Sequence, residues 1–498
     1  MSNRLLSRAG SAISWQALQH FGVQAIYLAR LLVLARLLAP ADFGLRAIGM
    51  IAVGLLLRVS DFGMIPALVQ RSAPEERHYD VAWTVGLLRA AVISAVVVLG
   101  APLFAQAFAE PRATPIIRAL GVLPLIQAGA SIKIAQLTRE LQFRKLAQLT
   151  LLEAAGTTVV SIVLAPRYGV WALVLGSLAG AAVYTLTSYR LAPHRPRLRF
   201  DGGALASLVR FGRWVFVASL VALASQSMLQ LVISRRLGVE ELGLYFLAAR
   251  LAFLPSGAAF GVVGTVAFPF YSRIREDVGQ AARMFRAQLV GIGVLLLPVY
   301  ALMMALAPSA TEILLGERWI GTAPILRILA VASLIGVLAE MVDPLLKAFG
   351  RPAAVAAIEA IQAVVLIAAV WYLADAFGLP GAAAAWIPAL ASSLAATVLF
   401  LRRLLPRPFE GVWRGLSGVA VVAALAGWAA VVVEQRVAGL AGLLIAGAVG
   451  AVVVVAGLYA LERTVGLGLA DGIVLLFPGA APLLGRPPAA ITGAGDGD

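Results

Sequence analysis

Unbroken apolar runs of about 20 residues follow one another from residue 13 to residue 462, and they constrain this chain more than any other feature. A run of that length crosses the hydrocarbon core of a bilayer as a helix. Neither a soluble domain nor the alternating strands of a membrane β-barrel produces it. Composition agrees: 61% of the residues are apolar and only 13% charged, too little charge to clothe a soluble protein of 498 residues. The chain reads as an all-α polytopic membrane protein.

The runs place spans near 13–36, 44–66, 82–106, 113–134, 147–166, 169–189, 214–234, 243–270, 288–308, 322–346, 353–374, 379–401, 415–434 and 440–462, about fourteen in all. With the amino terminus inside, Lys and Arg in the connecting segments favour the inside over the outside by about four to one. Both termini are therefore expected in the cytoplasm. Arg4 and Arg8 precede a first span with no small-residue cleavage site, which reads as uncleaved. Arg-rich stretches at 190–213 and 402–414 divide the chain into an amino-terminal six-span lobe (1–195), a second six-span lobe (196–405), two further helices (406–465) and a cytoplasmic tail (466–498). Within the tail, Ile473 to Leu484 is expected to lie on the bilayer surface.

The formal charge of +15 follows from this orientation bias, and no basic-aromatic platform for nucleic acid interrupts the spans. With no Cys, disulfides, thiol catalysis and thiolate metal sites are excluded. The three His residues, His20, His78 and His194, are too far apart in sequence to suggest a metal cluster. No catalytic residue, metal or cofactor is expected.

An internal repeat supports two equivalent lobes. Leu32 to Leu45 aligns without gaps on Leu231 to Leu244, with six of fourteen positions identical and Asp42 opposite Glu241. Each copy closes the first span of its block and opens the second. Six is an even number, so the copies enter the membrane in the same direction, as parallel repeats about an axis along the membrane normal. Two lobes around a central cavity are expected.

Polar residues inside the spans locate that cavity. In the first span Gln16, Gln19, His20, Gln24, Tyr27 and Arg30 fall within an arc of about 140°. Gln226 and Gln230, with Ser219 and Ser234, share an arc of about 80° in the seventh. Arg46, Arg58 and Asp61 share one face of the second. An Arg at the centre of an inserted helix costs about 2.5–3.5 kcal/mol on the mildest scale, so several facing lipid would consume a domain's stability. Arg46, Arg118 and Arg327 are close enough to the outer surface to snorkel. Arg30, Arg58, Arg89 and Arg250 sit deeper and are expected to line a cavity, with Asp61 a charge partner or switch for Arg58. Acids available to meet them are few: Asp61, Glu153, Glu340, Asp343 and Glu359. A cationic cavity suits an anion held partly out of water, because the planar guanidinium donates two parallel hydrogen bonds to phosphate. A lipid-linked pyrophosphate satisfies that chemistry while its tail stays in lipid. Basic loops at 139–145 and 190–213 are placed to collect the head, and Pro255, Pro269, Pro298 and Pro344 offer bending points.

The turn Arg36 to Leu45, Ser60 to Gly63, Ala67 to Arg71, the Arg139 to Arg144 loop and the turn Leu237 to Tyr245, in this order, resemble Wzx-type polysaccharide flippases. That family lies in the multidrug/oligosaccharidyl-lipid/polysaccharide exporter superfamily, near colanic-acid and O-antigen exporters. The resemblance covers spans 1 to 12 and reaches spans 13 and 14 by hydropathy alone. It implies a V-shaped cavity between two six-helix lobes, alternating access, and undecaprenyl-pyrophosphate-linked glycan as cargo for surface polysaccharide. It also implies membrane lipids and a polysaccharide polymerase or export machinery as partners. In related lipid II flippases cavity Arg residues come from the first, second and eighth spans, which here hold Arg30, Arg58 and Arg250. The alternatives are a cation-coupled multidrug antiporter of the same superfamily and a membrane glycan ligase or polymerase. The first characteristically uses an acid in the first span, where this chain has none, and the second would be expected to carry larger outer loops.

Overall fold

The computed structural model describes residues 2–59, 68, 75–140, 142–199 and 227–465. Eleven of its helices are long and apolar enough to cross a membrane, or twelve if a pair bent by 42° is one span, counted among the described residues. The two remaining spans of the fourteen expected have plain reasons. The fourth is broken into two short helices, and most of the seventh lies outside the described residues, as does the tail with its Ile473 to Leu484 segment.

The chain forms two compact units, Met1–Phe246 and Leu247–Asp498. In the first, α1 (Ser2–Leu37) and α2 (Pro40–Val59) are followed by the long α3 (Glu76–Ala107), the short α4 (Ala113–Leu120), α5 (Leu123–Ala128) and α6 (Ile134–Arg139), and the antiparallel pair α7 (Phe143–Tyr168) and α8 (Val170–Leu191). A helix over 227–237 (α9) and the start of α10 (Val239–Ala252) complete it. The second unit contains α11 (Leu254–Arg273), α12 (Val278–Ala310), α13 (Thr322–Glu340), α14 (Asp343–Ala348), α15 (Pro352–Ala384), α16 (Trp386–Leu404), α17 (Val412–Glu434) and α18 (Gly439–Val465).

Backbone details repeat between the blocks. The fourth and tenth spans are both interrupted, at residues 121–122 and 341–342, and each resumes with Pro in its first turn, Pro124 or Pro344. The residues capping the resumed helices have matching backbones: Val122 at φ −79° and ψ −20°, Val342 at φ −79° and ψ −21°. The fifth-to-sixth and eleventh-to-twelfth spans turn on Gly169 (φ 52°, ψ −128°) and Gly378 (φ 64°, ψ −143°). A side chain is strained at either positive φ.

Broken helices inside a membrane leave carbonyls without donors, and such backbone persists only where protein supplies them. Here α8 does so with one face: Thr185 donates to the Ile126 carbonyl at 2.7 Å and Tyr189 to that of Gly129 at 2.8 Å. Ser188 accepts the Ser131 N–H at 2.8 Å, and the Ser131 hydroxyl donates to the Ala192 carbonyl at 2.6 Å.

The two copies of the repeat meet reciprocally within the first unit. A Cβ placed on Gly44 would overlap the carbonyl oxygen of Val239, and one placed on Gly243 would overlap that of Pro40. In the repeat alignment Pro40 is the counterpart of Val239 and Gly44 of Gly243, so each contact is the image of the other. Small residues permit this approach of two backbones. Beside it Ser234 donates to the Phe108 carbonyl at 2.9 Å, so a hydroxyl read from sequence as facing a cavity is spent on a loop. In that loop the Arg112 guanidinium grips Glu110 at 2.7 Å and holds its carboxyl below the ordinary range.

In the second unit Tyr271, Phe285 and Tyr300 are fully buried around α12. The Tyr271 hydroxyl donates to Gln288 Oε1 at 2.6 Å, and Gln288 Nε2 reaches the Met341 carbonyl at 3.3 Å, beside the break in the tenth span. The 42° bend lies between α10 and α11, two residues after Arg250 and just before Pro255. Tyr300 donates to the Ala252 carbonyl there at 3.0 Å. The expected bending points at Pro255 and Pro344 coincide with breaks, whereas Pro298 sits within an uninterrupted α12.

Candidate functional site

The first unit contains a cavity of about 570 Å³ within its span helices. Arg89 reaches it from the middle of α3, Gln127 from the broken fourth span, Glu153 from α7 and Tyr184 from α8, with Trp83 one and a half turns before Arg89. Each element has a reason to be there. The chain leaving α5 at Ala128, Ala130 and Ser131 lines the cavity, and α8 satisfies the backbone of this stretch with Thr185, Ser188 and Tyr189 while Tyr184 borders the cavity. The result is a cation, a carboxylate, a phenol and an amide around one largely apolar cavity in a membrane-spanning unit, able to orient an anion or move a proton. Arg89, expected from its depth to line a cavity, is one of the residues around this one.

The polar stripe of the first span borders a different space. Gln19, His20 and Gln24 line a cavity of about 450 Å³ between α1 and α7, facing Thr138 and Thr150. Arg144, at the start of α7, lies over the Trp15 ring at 5.8 Å. Arg30 lies six residues beyond Gln24, its guanidinium 4.9 Å from the centre of the Tyr27 ring, which supports the charge with the ring's electron-rich face. Arg250 is exposed on α10, just before the bend. Gln230 is half-buried on α9. Asp61 and Gln226 lie outside the described residues, as do the side chains of Gln16 and Arg58.

Of the predicted residues, the structure thus brings His20 and Gln24 together, and joins Arg89 to Glu153, an acid named from its depth alone. Sequence reasoning missed Tyr184 and Gln127. Their signal was a polar group inside an apolar run, faint because a single Tyr or Gln in a span is unremarkable.

The match to known proteins covers most of this chain. A model of the family described as "Polysaccharide biosynthesis protein" matches residues 33–324. The chain belongs to that family. Among relatives, it is 27% identical over 366 residues to the succinoglycan biosynthesis transport protein ExoT of Rhizobium meliloti (strain 1021), covering 72% of this chain and 73% of that protein. It is 25% identical over 346 residues to the lipopolysaccharide biosynthesis protein WzxC of Escherichia coli (strain K12), covering 68% and 70%. Among solved structures, the inward closed conformation of the lipid II flippase MurJ superposes with a TM-score of 0.75 over 91% of this chain and 99% of that one, at 14% identity. The fold is therefore that of MurJ, and the all-helical reading of the sequence stands.

Proposed function

We propose that this family member is a flippase that carries undecaprenyl-pyrophosphate-linked oligosaccharide across the bacterial inner membrane by alternating access, for surface polysaccharide synthesis. The observation that carries the reading is Arg89 lining a cavity inside the membrane-spanning unit, in a chain of this family and fold. Relatives named for succinoglycan transport and lipopolysaccharide biosynthesis support the cargo class.

In this reading the chain keeps its lobes at 1–195 and 196–405, helices 406–465 and tail 466–498, with both termini in the cytoplasm. Arg30, Arg58, Arg89 and Arg250 receive the pyrophosphate, and Asp61 is the charge partner of Arg58. Gln16, His20, Gln24, Gln226 and Gln230 line the path of the glycan, whose hydroxyls exchange hydrogen bonds with amide and imidazole groups. A polysaccharide polymerase or export complex takes the product on the outer side. The protein moves a bound molecule and makes or breaks no bond in it.

The test is delivery of surface glycan in a strain lacking its own copy, with membrane expression matched. Arg30→Ala, Arg89→Ala and Arg250→Ala should each lower delivery at least about tenfold, the worth of one lost charge-assisted contact, with Lys recovering part of it. Full delivery by all three Ala variants at normal expression would overturn the assignment.

A further inference from the structure

A third cavity, about 620 Å³, opens at the end of the first unit where α3 begins and α8 ends. The four residues Lys133, Arg195, Arg197 and Arg199 bring cations to it, and Glu76 and Asp80 bring acids. Residues 193–199 form neither helix nor strand and are strapped onto the first turns of α3. The Arg197 N–H donates to Asp80 Oδ1 at 3.3 Å, and the Arg199 N–H donates to the Thr84 hydroxyl oxygen at 3.0 Å. Pro193 and Pro196 restrict the backbone just before these anchors.

Arg195, Arg197 and Arg199 alternate along this segment and all line the cavity, while Pro196 and Leu198 between them do not. The acids are already committed. Glu76 pairs with Lys133 at 2.7 Å, and Asp80 accepts from Arg197 and lies 3.6 Å from His194 Nε2. Among the described residues no carboxylate lies within ion-pair distance of Arg195, Arg197 or Arg199, whose side chains are exposed. Orientation bias explains Arg in an inner loop. It does not explain three of them fixed by their backbone over a cavity whose acids are used elsewhere.

We infer that Arg195, Arg197 and Arg199 form a binding site for the phosphate of an anionic membrane lipid, separate from the intramembrane cavity. Guanidinium forks take either the two phosphates of a pyrophosphate or the single phosphate of a phospholipid headgroup. The site stands independently of the flippase reading, because binding is measured without transport.

The test uses the full chain in detergent with three probes: geranylgeranyl pyrophosphate, dioleoylphosphatidylglycerol and dioleoylglycerol, the last without phosphate. The triple variant R195Q/R197Q/R199Q should bind at least one phosphate probe about tenfold more weakly than wild type, and the corresponding triple Lys variant should recover most of the loss. Preference for the pyrophosphate identifies cargo as the occupant. Equal or stronger binding of phosphatidylglycerol identifies a resident lipid, and either result supports the site. Should the triple variant not fold, R195Q and R199Q alone give the same reading as graded losses. Binding of both phosphate probes within twofold of wild type in the Gln variants, or no preference of wild type for phosphate over dioleoylglycerol, overturns the proposal.

Discussion

Replacing Gly243 with Ala tests the reciprocal crossing of the two repeat copies. Gly243 is buried in α10, and the new methyl would overlap the Pro40 carbonyl oxygen, a backbone atom that no rotamer change can remove. In a helix interior Ala is otherwise favoured over Gly by about 1 kcal/mol. Overpacking costs about 1–3 kcal/mol, and an obstacle made of backbone belongs at the upper end. The net loss is then about 2 kcal/mol. For a unit of 246 residues this lowers the melting temperature by about 4–8 °C. Gly44→Ala, against the Val239 carbonyl, should do the same. Gly54→Ala is the control: it lies in α2 with nothing within 4 Å of the added carbon, and should be neutral or slightly stabilising.

The decisive measurement is the double variant. If both methyls push apart the same two backbones, one separation relieves both, and the combined loss falls short of the sum by about 1 kcal/mol. Tryptophan fluorescence melting of the purified protein, at one scan rate for all variants, reads this directly. Additive losses would mean that the two contacts are unrelated. Melting of each single variant within about 1 °C of wild type would mean that the backbones do not meet as described.

Two further outcomes follow from buried polar groups. Tyr300→Phe removes the donor from the Ala252 carbonyl at the α10–α11 bend and should cost about 1–3 kcal/mol, read as a lower melting temperature; a neutral variant would show that the bend holds itself. His194 gives a pH dependence: burial pushes its imidazole below the ordinary value of 6.5, outweighing the opposite pull of Asp80. The folded protein therefore holds fewer protons than the unfolded chain, so this contribution is whole above about pH 6.5 and is lost as pH falls below it. Melting temperature should drop more between pH 7.5 and about pH 5.5 in wild type than in His194→Gln, and parallel curves would count against it.

The spans were legible because hydropathy sums over a window and needs no knowledge of neighbours. The same summation hides a break: 113–134 is apolar on average, yet its backbone is interrupted at 121–122 and again after Ala128, where Thr185, Ser188 and Tyr189, about sixty residues further on, pair with Ile126, Ser131 and Gly129. Local sequence carries Pro124 as a hint and nothing about the donors. The cavity-lining residues divide likewise. Arg89 was legible from the cost of desolvating a guanidinium, and the stripe of Gln19, His20 and Gln24 from helical periodicity. That Glu153 and Tyr184 share the cavity with Arg89 depends on packing between three spans. The Arg residues of 193–199 were visible as charge, whereas their fixed placement depends on Asp80 and Thr84, more than a hundred residues earlier.

The repeat is where sequence and structure constrain each other most tightly. A gapless alignment of two apolar stretches has an obvious competing explanation, shared composition, and six identities in fourteen do not dismiss it. Shared composition makes no statement about contacts. A parallel repeat about an axis does: position 44 must meet the counterpart of whatever position 243 meets. Gly44 lies against Val239 and Gly243 against Pro40, and these pairs exchange under the alignment. The matching caps at Val122 and Val342, and the matching turns at Gly169 and Gly378, lie outside the aligned stretch. They extend the equivalence beyond the fourteen aligned positions, because backbone geometry persists where a Pro in the first turn or a Gly at positive φ is all that it requires.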